Sequence, residues 1–439
     1  MILIYAPKKT NRLSYIIDTI FKGILKTDYK ITAEKELFEQ SDLPKLSYAE
    51  WAIDDEIFIK ADTLLFEKEI EPKEITVAEW NGMPVLFPHD FSHAAIPFDL
   101  FAASFYLLSR YEEYLPSKKD SHGRYDPVNS IAYKNGFLER PLVDEYAMLL
   151  RQILLERYPD LELPLRKFKF IPTFDIDNAY AYLYKGFWRG FLASAKSLST
   201  FKFKAFYNRV KVWNKTQPDP YDTFDWIKKV HQKINVKPIF FYLLGDYGKF
   251  DKNVPHDNEK LHELIRETSK WADIGIHPSY NSPLQPNKLK LEMKRLNTIN
   301  NQVTTKSRQH YLRLLMPIAY QNILQSTIVE DYTMGYAPML GFRASTCTPH
   351  YFFDIKKDER SILKVFPFCF MDSTWNYYLD QEEAGAIEKI SELMSKVNNV
   401  GGTYISLFHN DTFEKETWKK IYEKMLEQAQ VYLKNEDEY

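Results

Sequence analysis

The sequence predicts an α/β fold: a parallel sheet of seven strands, open or closed into a barrel, over residues 161–439, preceded by a smaller α+β domain over 1–160. Three observations carry this. Seven short apolar segments alternate with amphipathic helical segments after about residue 165, and such alternation implies a parallel sheet with crossover helices. The pattern changes at Pro159 and Pro164, which bracket the boundary. Most of the apolar segments run into Asp, His or Arg at the same end, where parallel β/α folds carry their functional groups.

In order along the chain, residues 2–5 read as a strand, and Asn11 caps a helix reaching residue 24. The alternating segments EIFIKA (56–61) and EITVAEW (74–80) read as half-buried strands. A strong helix covers 99–115, with Asp99 at its N-cap, and another covers 141–157, with Pro141 in its first turn. The seven strands of the second part are placed at 168–175, 237–244, 272–277, 307–314, 331–336, 364–371 and 402–409. Helices are expected near 222–235, 257–271, 287–302, 317–328 and 384–398, with a last one at 414–434.

Residues 178–218 interrupt this alternation with eight Lys or Arg, no Asp or Glu, and many aromatics. The segment reads either as a basic helical hairpin packing its aromatics on the sheet or as a surface for an anionic glycan or membrane. In the membrane reading Phe187, Trp188, Phe191, Phe201, Phe203 and Phe206 seat in the interface.

Composition narrows the function class. A net charge of −2 over 439 residues gives no electrostatic reason to expect nucleic acid. Two cysteines, Cys347 and Cys369, form neither a disulfide framework nor a CxxC knuckle and fit a reducing compartment. The first apolar run is short, no small-residue cleavage site follows it, and no run of ~18 apolar residues exists. The expected location is cytoplasmic. The aromatic content suits a large core or sugar-stacking surfaces.

The strand ends that carry chemistry are FIPTFDID (170–177), IGIHPSY (274–280), GYAPMLGFRAS (335–345), FCFMDSTW (368–375) and YISLFHND (404–411). Asp175 and Asp177 lie two apart, so a strand puts both carboxylates on one face, with Cα atoms roughly 7 Å apart. Two carboxylates that close can divide labour, one holding a metal and the other accepting a proton.

Taken in order, these segments resemble the motifs of the polysaccharide deacetylases of carbohydrate esterase family four. TFDID resembles the family's first motif, TFDDG, with its second Asp moved one position on. IGIHPSYN resembles the second, in which a His is followed four residues later by another His. GFRAST resembles the third, which supplies an Arg, MDSTW the fourth, and SLFH the fifth. A large N-terminal module joined to such a unit is also similar to deacetylase-like proteins of bacterial surface-polysaccharide loci.

The resemblance implies a distorted seven-stranded β/α barrel and a metal-dependent hydrolase that removes an acetyl group from a sugar or polysaccharide precursor. It implies one divalent ion, zinc first, with cobalt, nickel or iron compatible, held by Asp177, His277 and a third ligand. Asp175 would be the general base and His409 the general acid. Arg343 would hold Asp175, Asp372 would orient His409, and Trp375 would wall the pocket. Asn281 stands where the second ligand His belongs, and an amide oxygen is a poor zinc ligand. TKSRQHYLRLL (305–315), read as a strand, offers His310 instead, on the same face as Arg308 and Leu312. The first motif also lacks its Gly. Two other readings stand beside this one: a barrel that has lost catalysis and serves glycan binding or assembly, and another carbon–nitrogen amide hydrolase on the same barrel. A precursor built on a lipid carrier would be met at the inner membrane, where the basic insertion provides peripheral contact.

Overall fold

The computed structural model describes residues 1–186, 199–200, 203–379 and 381–434. The first part is built on β1 (Ile2–Tyr5), β2 (Tyr29–Thr32), β3 (Lys45–Ala49) and β4 (Ile57–Lys60), paired in the order β2-β1-β3-β4. Every pairing in this sheet is parallel, so the expected α+β mixture gives way to an α/β sheet. An antiparallel hairpin, β5 (Val77–Trp80) and β6 (Met83–Leu86), lies apart from it.

The helix after β1, Asn11–Asp18, is capped by Thr10 rather than Asn11, and a π-helical turn carries it on through Ile24. Asp99 does cap Leu100–Leu108, accepting from the amides of Phe101 and Ala102. All nine residues of that helix are buried, as expected of a helix apolar on every side. It stops short of residue 115 because Arg110 adopts left-handed backbone, with φ 56°.

The second part is a nine-stranded sheet. Each of the seven expected segments contains or overlaps one of these strands: β7 (Lys169–Ile176), β8 (Ile239–Tyr242), β9 (Asp273–Ile276), β10 (Lys306–Ser307), β11 (Glu330–Asp331), β14 (Phe370–Met371) and β15 (Thr403–His409). Two further strands, β12 (His350–Asp354) and β13 (Glu359–Val365), form an antiparallel pair beyond β11. The order is β12-β13-β11-β10-β9-β8-β7-β15-β14. Among the described residues the ladder thus holds nine strands instead of seven. The segment expected as one strand at 364–371 is divided between β13 and β14.

Between β13 and β14, the Phe368 amide donates to Met334 O (3.1 Å) and the Cys369 amide to Ile405 O (3.4 Å). One stretch of chain therefore hydrogen-bonds both to the segment that follows β11 and to β15. An apolar cluster that includes Phe241, Tyr332, Phe366, Phe368, Met371, Ile405 and Leu407 lies apart from a larger one, to which the helices Phe224–Ile234, Glu259–Ser269, Pro286–Asn300, Ala386–Asn399 and Glu416–Lys434 contribute. Strands β7 and β15 are buried on both faces, which accounts for their near-continuous apolar sequence.

The two parts pack through buried polar groups as well as apolar ones. Asp144 accepts from Arg166, Thr346, Thr348 and the Cys347 amide. Tyr15 packs on Phe353 of β12, with ring centroids 4.9 Å apart.

Of the basic insertion, the helix Phe203–Trp213 is described. Phe187, Trp188, Phe191, Phe201 and Lys202 lie outside the described residues. Arg209 sits 5.3 Å from the Tyr182 ring centroid, and Lys211 sits 4.5 Å from that of Tyr207. Among the described residues, no helix is long and apolar enough to cross a membrane.

Candidate metal centre and active site

Parallel pairing sends the C-terminal ends of β7, β8, β9, β10, β14 and β15 to one side. Asp175 lies near the end of β7, opposite His409 of β15 in register. Asp177 follows β7, His277 follows β9, and Asp372 follows β14. His310 is also there, but by a different route. β10 ends at Ser307, and the chain turns into a short 3₁₀ segment, His310–Leu312, in place of the strand expected over 307–314.

The three imidazoles are anchored in the same way. His277 Nδ1 lies 2.6 Å from Arg308 O, His310 Nδ1 2.9 Å from Asp251 Oδ1, and His409 Nδ1 2.8 Å from Asp372 Oδ1. A carbonyl or carboxylate oxygen only accepts, so each Nδ1 carries a hydrogen and each Nε2 is left for the site. The Nε2 atoms converge on Asp177: His277 at 3.0 Å from Oδ1, His310 at 3.4 Å and His409 at 3.8 Å from Oδ2.

The ligand atoms of Asp177, His277 and His310 all lie within 4.8 Å of one another. Asp177 Oδ1 is buried without a hydrogen-bond partner, although His277 Nε2 is only 3.0 Å away. A carboxylate oxygen facing an imidazole lone pair is unfavourable unless a proton or cation lies between them. Two neutral imidazoles and a carboxylate are also the donor set a zinc-like ion prefers, with the outer nitrogens held by a carbonyl and a carboxylate. The residues present fit a divalent ion.

The same crowding perturbs the titration of these groups. Burial alone would raise the Asp177 carboxyl, but His310 and His277 hold it well below the usual range. Burial would lower His310, and Asp177 and Asp251 instead push it up to about 9. His409 is likewise opposed by burial and carried well above the ordinary histidine value by Asp372.

Asp175 is buried and keeps one oxygen for the site. Its Oδ1 accepts from Arg308 Nη1 at 3.0 Å, while Oδ2 lies 3.7 Å from His277 Nε2. Arg308 is fully buried. Its Nη1 also donates to Thr173 Oγ1 (2.7 Å), its Nε donates to Tyr332 O (2.9 Å), and its guanidinium lies 4.8 Å from the Phe241 ring centroid.

Six of the expected site residues are thus brought together: Asp175, Asp177, His277, His310, Asp372 and His409. Two are not. Arg343 does not reach Asp175. It donates to Glu113 Oε1 (2.9 Å) and Oε2 (2.6 Å), because the 335–345 segment is a loop pressed against the N-terminal part, where a buried carboxylate needs a counter-charge. Arg308 stands beside Asp175 instead. Trp375 does not wall the cavity. The chain after Asp372 winds into the π-helical turn Thr374–Tyr378, which packs Trp375 into the larger apolar cluster, its Nε1 donating to Glu382 O. Tyr377 and Tyr378, with Tyr311, line the cavity, which encloses about 320 Å³. Asn281 is exposed, stands at the start of the turn Ser282–Leu284, and is not among the residues that line the cavity.

Arg308 shares the His310 face in the strand pattern of 305–315, and an Arg on an inward face is the signal in the sequence for a partner to a buried carboxylate. Asp251, in the loop GDYGKFDKN, gave none.

Residues 2–159 match DUF7033, a family of unknown function. A search of curated proteins finds no match. Among solved structures, the chain is similar to a protein of Mycobacterium smegmatis described as a polysaccharide deacetylase, at 13% identity and a TM-score of 0.41, over 62% of this chain and 86% of that one. It is also similar to the polysaccharide deacetylase Bc1974 of Bacillus cereus, at 11% identity and a TM-score of 0.29, over 60% and 86% of the two chains. The Xyl-CE4 domain of a multidomain xylanase from the hindgut metagenome of Trinervitermes trinervoides gives 11% identity and a TM-score of 0.29, over 62% and 85%. At such scores the functional reading rests on the site itself.

Proposed function

We propose that this chain is a metal-dependent hydrolase that removes an acetyl group from a sugar or polysaccharide precursor, with its site in the 161–439 unit. The observation that carries the reading is the convergence of Asp177, His277 and His310 beside a second, separately tethered carboxylate, Asp175. A divalent ion held by the three would lower the pKa of a water at the site toward ~7 and polarise an acyl carbonyl.

The chain's own groups supply the rest. Arg308 fixes Asp175 through Oδ1, which leaves Oδ2 to take the proton from the attacking water. His409, held charged by Asp372, presents Nε2–H to the departing amine or alcohol oxygen. Tyr311, Tyr377 and Tyr378 offer flat faces for a sugar ring. The buttressing of His310 by Asp251 supports a working centre over a barrel that has lost catalysis, since Asn281 is then not required.

Two variants test this division of roles. Asp175→Asn should keep its metal and lose about 10²–10⁴ in rate, the usual contribution of a general base. Asp177→Asn should lose metal affinity first. Metal content and acetate release from an N-acetylated oligosaccharide read the two effects separately. Equal metal loss in both variants would refute the assignment.

A further inference from the structure

The loop 118–125 of the N-terminal part docks on the rim of the cavity. Its own fold orients Arg124: Asp120 Oδ1 accepts from the amides of His122 (2.8 Å) and Arg124 (2.9 Å), and Asp120 Oδ2 accepts from Arg124 Nε (2.7 Å). Arg124 Nη1 then crosses to Tyr311 O at 2.7 Å. Two more contacts hold the loop down. Arg313 Nε donates to His122 O (3.1 Å), and His122 Nδ1 lies 3.0 Å from the Tyr280 hydroxyl.

The carbonyl that Arg124 holds belongs to a strained turn. Tyr311 has φ 61° and ψ 14°, and Leu312 has φ 51°. Two successive left-handed residues, neither of them Gly, Asn nor Asp, persist only where the surroundings impose that conformation. The alternation in TKSRQHYLRLL favours an extended strand, so the local sequence and the observed turn disagree. His310 immediately precedes the turn. Were 310–314 to relax toward a strand, its ring would leave Asp177 and Asp251.

We propose that loop 118–125 is a brace for the metal centre. Arg124 is its positioning residue: it holds the Tyr311–Leu312 turn, and through that turn it sets His310 Nε2 against Asp177. This gives the N-terminal part a role in the site, and it rests on the reading of Asp177, His277 and His310 as metal ligands. A lysine has the charge but lacks the fork needed to span Asp120 and Tyr311 O together.

The test uses the full chain, as wild type, Arg124→Ala and Arg124→Lys, with two readouts. The first is amide exchange over 310–314 in metal-free protein, where the Leu312 and Arg313 amides bond to Gln309 O and His310 O. The second is titration with cobalt(II), followed by its visible absorbance. Arg124→Ala should speed exchange over 310–314 roughly tenfold or more, with the other strands unchanged. It should also weaken cobalt binding by about 10–100-fold, as loss of an outer-sphere support does. Arg124→Lys should fall between, and added methylguanidine should restore part of the loss in Arg124→Ala. Unchanged exchange, or faster exchange with unchanged cobalt affinity, overturns the brace. If wild type binds no cobalt while Arg124→Ala still loosens 310–314, the metal reading fails and the bracing of the turn stands. Arg124→Lys, which keeps the charge, supplies the same comparison if the alanine variant does not fold.

Discussion

His409 shows how one residue's environment fixes its role. Burial would drive the imidazole toward its neutral form, but the Asp372 carboxylate at 2.8 Å wins and raises its pKa well above the ordinary value. A group that acts as the acid must be protonated, so activity should be full below the raised pKa and fall as pH rises through it. Asp372→Asn removes the counter-charge. The alkaline limb of kcat/KM should then move down toward ~6.5, the value of an unperturbed histidine. A pH–rate profile checks this, and an alkaline limb left in place would remove His409 from the acid role. The same raised pKa favours folding at low pH, a contribution present below the unfolded value and lost as pH passes the folded one. Residue identity made Asp175, Asp177, His277, Asp372 and His409 legible, because polar residues closing apolar strands are conspicuous. Arg343 was misassigned because the sequence shows that an Arg is present but not whose carboxylate needs it; Glu113 lies 230 positions away.

At the scale of the element, strands were legible where they are long and buried on both faces, as in β7 and β15. They were overextended where only two residues pair, as in β10 and β11. The pattern in 307–314 looks like a strand because alternation reports which faces are apolar; it does not report the long-range contacts, Arg124 on Tyr311 O among them, that impose a turn. The loop at 335–345 makes a comparable demand. Gly341 has φ +110°, and a Cβ there would stand 2.5 Å from Leu138 O and 2.9 Å from Leu138 C. Both are backbone atoms of the N-terminal part, which cannot rotate away, and the Gly341 amide is committed to Cys369 O. Gly341→Ala should therefore destabilise the chain by about 1–3 kcal/mol, from backbone strain and overpacking together. A thermal or urea melt would show it, and a melt matching wild type would mean the loop shifts freely.

Across the whole molecule, the change of pattern near residue 160 falls between the strands of the four-stranded sheet and those of the nine-stranded one, and no sequence pattern marks the contact between them. Glu113 lies between Arg110 and Arg343, all three side chains buried, and Arg124 reaches the rim of the cavity. No local pattern announces such pairs, since each partner is set by where the other part docks. On the proposed reading this architecture holds a divalent ion on Asp177, His277 and His310. The most direct test is elemental analysis of protein purified without added metal, for wild type, His310→Ala and Asn281→Ala, together with acetate release before and after chelation. Wild type and Asn281→Ala should carry about one divalent ion per chain, His310→Ala should lose it, and chelator should abolish activity. Wild-type protein free of divalent metal and fully active in chelator would contradict that reading.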